Sequence, residues 1–139
     1  MLNLVQTRLK QQFSHVQTAV NVRQAMAQSL VAEFQLYVVP LAERPKANER
    51  DTGKPLQETQ LTFAVIIGLV SRNDSTGSKA LQALETHRST IRSLLYGWQP
   101  EGTAQPIELG PSDLLGLADN GIWWIDRFTT TTWYEGTQA

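Results

Sequence analysis

Between Gln60 and Val70 the chain holds a stretch in which both alternating sets of residues are apolar. Leu61, Phe63, Val65, Ile67 and Leu69 fall on one side of an extended strand. Thr62, Ala64, Ile66, Gly68 and Val70 fall on the other. A strand with one wet face alternates apolar with polar residues, and this one does not. The stretch therefore predicts a central strand, at least partly covered on both sides. Its most apolar part, Phe63 to Val70, is eight residues long, far short of a membrane span.

The rest of the chain supplies partners for that strand. Leu2, Val5, Leu9 and Phe13 recur at spacings of three and four, which predicts a helix over 2–13. Val20 to Gln28 predicts a second, shorter helix with Ala25 and Met26 inward. Phe34, Leu36 and Val38 alternate with Gln35, Tyr37 and Val39, and Pro40 closes a strand. A long helix is expected from about Ser78 to Tyr96, with Leu81, Leu84, Ile91, Leu94, Leu95 and Trp98 as its inner stripe. Ser75, Thr76 and Ser78 are its candidate N-caps. Gly97 suits the left-handed residue after it, and Pro100 bars continuation. The last third reads as β. Asp119-Asn120-Gly121 is the best tight-turn signal, and Ile122 to Thr132 alternates. The residues from about Glu135 are expected to fray.

Residues 40–58 interrupt this order. They contain three prolines, one glycine and eight charged residues, four of each sign. Such a segment buries little apolar surface to offset its ordering entropy, so it is expected to be a long mobile loop. The expected architecture is one α+β domain over 1–139, ordered α-α-β-β-α-β-β. Its sheet is mostly antiparallel with about four strands, and its helices pack on one face.

No chemistry-bearing motif emerges. The chain has no cysteine, which excludes disulfides, thiolate metal sites and Cys nucleophiles. His15 and His87 lack partners at ligand spacing, so no metal is expected. None of the serines sits in a nucleophile elbow. Gly53-Lys54 resembles the end of a phosphate loop, but Asn48 replaces its first glycine and Pro55 its hydroxyl. Asn73-Asp74-Ser75 matches a glycosylation triplet and is better read as a turn. Asp126 shares a strand side with Trp124 and Phe128, and it reads as a paired structural or exposed edge carboxylate. The net charge of −1 argues against a dedicated nucleic-acid binder. The N-terminus has no basic-then-apolar signal, so an intracellular soluble protein is the default expectation.

Two features point outward to partners. Seven of the eleven aromatic residues fall in the last 44 residues, and the adjacent Trp123 and Trp124 must face opposite sides of their strand. One belongs under the third helix; the other is covered either by the short second helix or by another molecule. Charge is also sorted: residues 99–139 carry one Arg against six acids, while 1–39 and 59–98 are mildly basic. In a ring, that distribution would set a basic side of one copy against an acidic side of the next.

The stretch Leu94-Leu95-Tyr96-Gly97-Trp98-Gln99-Pro100 closes a long helix. A Leu-bearing strand, Ile107-Glu108-Leu109, follows, and then Gly121-Ile122-Trp123-Trp124-Ile125-Asp126-Arg127-Phe128. This order resembles the tail terminator proteins of long-tailed bacteriophages. The earlier part is similar too: an N-terminal helix, a strand ending Val38-Val39-Pro40 with Asn48 beyond, and a Gln60-containing strand rich in Phe and Val. The resemblance implies a hexameric ring on the head-proximal end of the tail tube. That ring stops tube polymerisation and offers a surface for the head–neck connector. It also implies no catalytic site and no cofactor, partners in the tube protein and a neck or head-completion protein, and DNA passing the lumen without sequence-specific binding. The location implied is the virion, after assembly in the host bacterial cytoplasm, with no membrane involved. The candidate interface residues are Arg44, Lys46, Arg50 and Lys54 in the charged segment, with Trp123 and Arg127. A solvated hairpin tip is the plainer reading of the charged segment. A neck or tail-completion protein, or a small ligand-binding or enzymatic α+β domain, are the rival readings of the whole.

Overall fold

The computed structural model describes residues 1–27, 34–70, 78–118 and 121–138. The elements are α1 (Leu2–Leu9), β1 (Val16–Thr18), α2 (Val22–Ala27), β2 (Phe34–Pro45), β3 (Leu56–Val70), α3 (Ser78–Leu95), β4 (Glu108–Ala118) and β5 (Gly121–Glu135). They form an α+β domain around one five-stranded sheet in the order β1-β2-β3-β5-β4. The doubly apolar strand β3 is central, as its pattern demands. It pairs antiparallel with β2 on one side and along its whole length with β5 on the other.

The sheet departs from expectation in strand number and direction. It has five strands rather than about four, and it is mixed, because β1 runs parallel to β2 with Val16 opposite Leu36. Three residues with one buried side chain leave no alternation to detect, so β1 is invisible to periodicity. The element order is accordingly α-β-α-β-β-α-β-β.

The helices also do not share one face. Phe63, Val65, Ile67 and Leu69 of β3 face Val5 and Leu9 of α1 and Leu84, Ile91 and Leu95 of α3, closed by Phe128. Ala64 and Ile66 face the other way, into a smaller cluster with Tyr37, Val39, Trp123, Ile125 and Ala25 of α2. The short α2 is thus the second layer that a doubly apolar strand requires. Helix α1 stops at Leu9 rather than Phe13. The following turns tighten to three-residue spacing, Gln11 N to Arg8 O at 3.2 Å and Gln12 N to Leu9 O at 3.1 Å. Phe13 still reaches the core.

The flanks of segment 40–58 are strand, residues 40–45 in β2 and 56–58 in β3. β2 continues past Pro40 through a register shift to pair Glu43 with Leu61, Arg44 with Gln60 and Pro45 with Thr59. Only residues 46–55 lie between the strands. Backbone hydrogen bonding, together with continuous pairing of β3 with β5, orders a stretch that side-chain burial alone would not. Near the chain end, Gly136 N donates to Pro55 O of this tip at 2.8 Å. The Asp119-Asn120 turn, and Ser75 and Thr76 as caps, lie outside the described residues.

The Leu-Tyr-Gly-Trp segment ends α3 as its chemistry predicts. Gly97 takes φ +81°. Its N–H and that of Ile107 close a reciprocal pair, Gly97 N to Ile107 O and Ile107 N to Trp98 O, both 2.9 Å. The Arg8 guanidinium lies 4.5 Å from the Trp98 ring centroid, and its Nε donates to Leu94 O. This segment therefore clamps α1 to the end of α3.

Candidate functional site

The densest polar cluster centres on Asp126, which is 1% exposed on β5. Strand alternation puts its carboxylate on the α3 side, between Trp124 and Phe128. Arg88 of α3 meets it end-on and side-on, Nη2 to Oδ1 at 2.9 Å and Nε to Oδ1 and Oδ2 at 3.0 and 3.1 Å. Ser112 of β4 donates to Oδ1 at 2.6 Å, and the Trp124 indole N–H donates to the same oxygen at 3.1 Å. The Arg88 guanidinium also lies 4.7 Å from the Trp124 ring centroid. Four of these five contacts fall on Oδ1 and one on Oδ2, so the carboxylate is held ionised-pair fashion against Arg88. It pins α3 to β4 and β5. Sequence reasoning placed Asp126 on the correct side but missed Arg88 and Ser112. The available signal was Arg88 lying on the helix flank that faces the sheet.

Arg92, one turn further along α3, is less well served. Its Nη2 reaches Ser112 Oγ only at 3.5 Å, and its buried Nε has no hydrogen-bond partner among the described residues. It makes no ion pair there either.

The tryptophan question is resolved inside the chain. Trp123 is 4% exposed, in the cluster with Tyr37 and α2. Its ring centroid is 6.2 Å from that of Tyr37. Burial among these groups raises the Tyr37 hydroxyl above its usual pKa. Trp123 faces Gly116 across the β4–β5 ladder, and Met26 Cε lies where a side chain at Gly116 would come within 3.6 Å. Trp123 is thus packed within its own chain, under the short α2. Trp124 packs against the α3-side core while remaining half-buried. Arg127 is also occupied within its own chain, by Asp113 Oδ2 at 2.6 Å and Pro111 O at 3.2 Å.

The basic residues of the hairpin tip divide into two pairs. Lys46 lies 3.6 Å from Glu58, and Arg50 bridges Glu135 at 2.9 Å and Lys54 O at 3.2 Å. Asn48 Oδ1 shapes the tip by accepting from Arg50 N and Leu56 N. Arg44 and Lys54 are exposed and make no ion pair among the described residues.

His87 stacks on Phe34 at 3.9 Å between centroids and meets Phe13 edge-on at 6.0 Å. Burial there holds its pKa below 6.5. No cluster of three or more His, Asp or Glu side chains able to hold a metal ion occurs among the described residues. Among the described residues no helix is long and apolar enough to cross a membrane.

What the surface offers is apolar side chains rather than a reactive centre. Leu114 and Leu117 of β4 are 54% and 77% exposed, as are Leu81 of α3 at 57% and Trp133 and Tyr134 of β5 at 54% and 75%. Large apolar groups turned outward are surface of the kind that contacts with other proteins cover. Comparison with known families agrees: the model of the phage tail terminator protein family matches residues 2–137. The chain belongs to this family and is a structural protein of the phage tail, part of the virion and a partner of other tail components. No curated protein matches the chain.

Proposed function

We propose that several copies of this chain close into a ring on the head-proximal end of the tail tube. The ring stops addition of further tube protein and presents a surface for the neck or head-completion protein. Six copies are the number the family resemblance implies. DNA passes through the lumen without base-specific contacts, and assembly takes place in the host cytoplasm. The observation that carries this reading is the family match across residues 2–137. The exposed leucines and aromatics support it, because a monomer gains nothing from holding them in water.

Within that reading, the β2–β3 tip is the part that meets the tube. Arg44 and Lys54 are its cations without an ion pair among the described residues. Polymerising purified tube protein in the presence of this chain tests both points. The intact chain should halt growth and fix tube length. A variant with 47–54 replaced by Asn-Gly should fold normally and leave tubes growing. Uncontrolled lengths with the intact chain would contradict the capping role. Normal capping by the shortened variant would remove the tip from it.

A further inference from the structure

The sheet narrows at one end from five strands to β2, β3 and β5 alone. β1 pairs with β2 only as far as Val38, and β4 reaches along β5 only to Thr129. β2, β3 and β5 continue together to Pro45, Leu56 and Glu135. This end therefore has two open edges, β2 on one side and β5 on the other. The sheet's other edges are managed. Gln6 Nε2 donates to Val16 O at 3.0 Å on β1, and two register shifts and Pro111 blunt β4.

Ladder alternation fixes which main-chain groups the open edges present. Lys46 N donates to Glu58 O at 2.8 Å, so Arg44 and Ala42 also bond towards β3 and Glu43 turns outward. Thr131 O accepts from Ala104 N at 2.7 Å on the outer side of β5, so Trp133 and Glu135 turn outward in their turn. Beyond the sheet ladder, no hydrogen bond among the described residues engages the main chain of Glu43, Trp133 or Glu135.

β2 and β5 both run antiparallel to β3, so they share one direction. A second copy in the same orientation thus brings its β2 beside β5 as a parallel neighbour. With Trp133 opposite Ala42, Trp133 C=O accepts from Glu43 N–H, and Glu135 N–H donates to Glu43 C=O. A shift of two residues would set Trp133 C=O against Pro45, which has no N–H. The faces agree as well. Trp133, Glu135, Ala42 and Arg44 pair with even-numbered β3 residues and share the α2 side of the sheet. Tyr134 and Glu43 pair with Gln57 and Leu61 and share the other side. Glu135, bridged to Arg50, then meets Arg44, which has no ion pair among the described residues of its own copy. Lys46 is held by Glu58, and Glu49, Asp51 and Lys54 lie in the connection beyond the paired residues.

We infer that the β2 edge of one copy, at residues 42–44, adds in parallel to the β5 edge of a second copy, at residues 133–135. This rests on the ring reading above and names its subunit contact. The two edges differ, so the contact is head-to-tail. Further along, β4 of one copy and β1 of the next stand between the two strands, so the wide ends must diverge. The register shift between Pro40 and Ala42 lets β2 bend away there. Narrow ends that meet while wide ends diverge rotate each copy against the last in one sense, as a closing ring requires.

Within one copy, residues 43 and 134 stand roughly 16 Å apart, by two strand spacings and four residues of rise, too far for a disulfide. The chain has no cysteine, so introduced thiols report cleanly. The parent chain is first weighed by native mass spectrometry. The double variant Glu43→Cys with Tyr134→Cys is then oxidised with copper phenanthroline and run under denaturing, non-reducing conditions. The expected result is a ladder of disulfide-linked oligomers, with none from either single variant. Arg44→Glu should raise the concentration needed for assembly about tenfold with circular dichroism unchanged, and adding Glu135→Arg should reverse it. No ladder from a parent that is oligomeric by mass would overturn this contact and leave the ring reading standing. A linked dimer from Tyr134→Cys alone would overturn it in favour of β5 against β5. Assembly indifferent to Arg44→Glu, or not restored by Glu135→Arg, would overturn the pairing of these two residues. A parent chain that is monomeric at every concentration would overturn the contact and the ring together.

Discussion

Asp126 is the residue whose loss should be felt most widely. Its carboxylate is inaccessible and accepts from Arg88, Ser112 and Trp124. Asp126→Asn would leave the Arg88 guanidinium facing a neutral group with one acceptor oxygen. Removing one member of a buried ion pair costs about 3–5 kcal/mol. Arg88 keeps 20% of its side chain in water, so about 3 kcal/mol is expected here, read by urea denaturation. A change under 1 kcal/mol would mean that the pair does not hold α3 to the sheet. His87 gives a pH-dependent prediction. Its folded pKa lies below 6.5 because it is buried against Phe34 and Phe13. The unfolded chain then binds the proton more readily than the folded one. The contribution of His87 to stability is complete above about pH 6.5 and is lost as pH falls towards its depressed folded value. Thermal melts of His87→Gln should lose that part of the acid dependence, and an unchanged pH profile would count against it.

At the scale of elements, α2 matters beyond its six residues. It closes the second face of the sheet over Trp123, Tyr37 and Ile66. Trp123→Ala should therefore cost roughly 3–5 kcal/mol by calorimetry, as large-to-small core changes do. Unchanged melting with impaired assembly would return Trp123 to an interface. How much of this was readable varies by element, for physical reasons. The centrality of β3 followed from its two apolar faces, and Gly97 followed from its place before Pro100. Helices α1 and α3 followed from leucine spacing. β1 did not, because three residues carry no period. The extension of β2 and β3 past Pro40 did not either, because backbone pairing holds a charged, proline-bearing stretch that side-chain pattern assigns to a loop. The placement of α2 opposite the other helices was the missing consequence of a premise already present: β3 needed two covers. The site was less legible. Asp126 stood out by its strand side, but Arg88, Arg92 and Ser112 come from elements whose approach is set by tertiary packing. The exposed Leu81, Leu114 and Leu117 look like core residues in sequence, since spacing does not tell an inward from an outward leucine at a sheet edge.

For the whole molecule, one copy holds a buried Arg88–Asp126 pair, two packed cores and several exposed apolar side chains. Exposed apolar side chains suit a part that acts by fitting against other parts. The acidic C-terminal third and the milder basic remainder act in the same direction, since opposite charge on successive copies favours orderly head-to-tail addition over aggregation. Such contacts end in a closed ring when the rotation between neighbours closes, and in a filament when it does not. On the reading proposed above the contacts close, because a filament would prolong what the ring is proposed to end. The ring can be read directly by native mass spectrometry of the purified full chain in a volatile buffer at near-neutral pH. The account predicts one closed species, six times the mass of the 15.5 kDa chain, with no open-ended series above it. A lone monomer at all concentrations, or an unbounded ladder of masses, would contradict it.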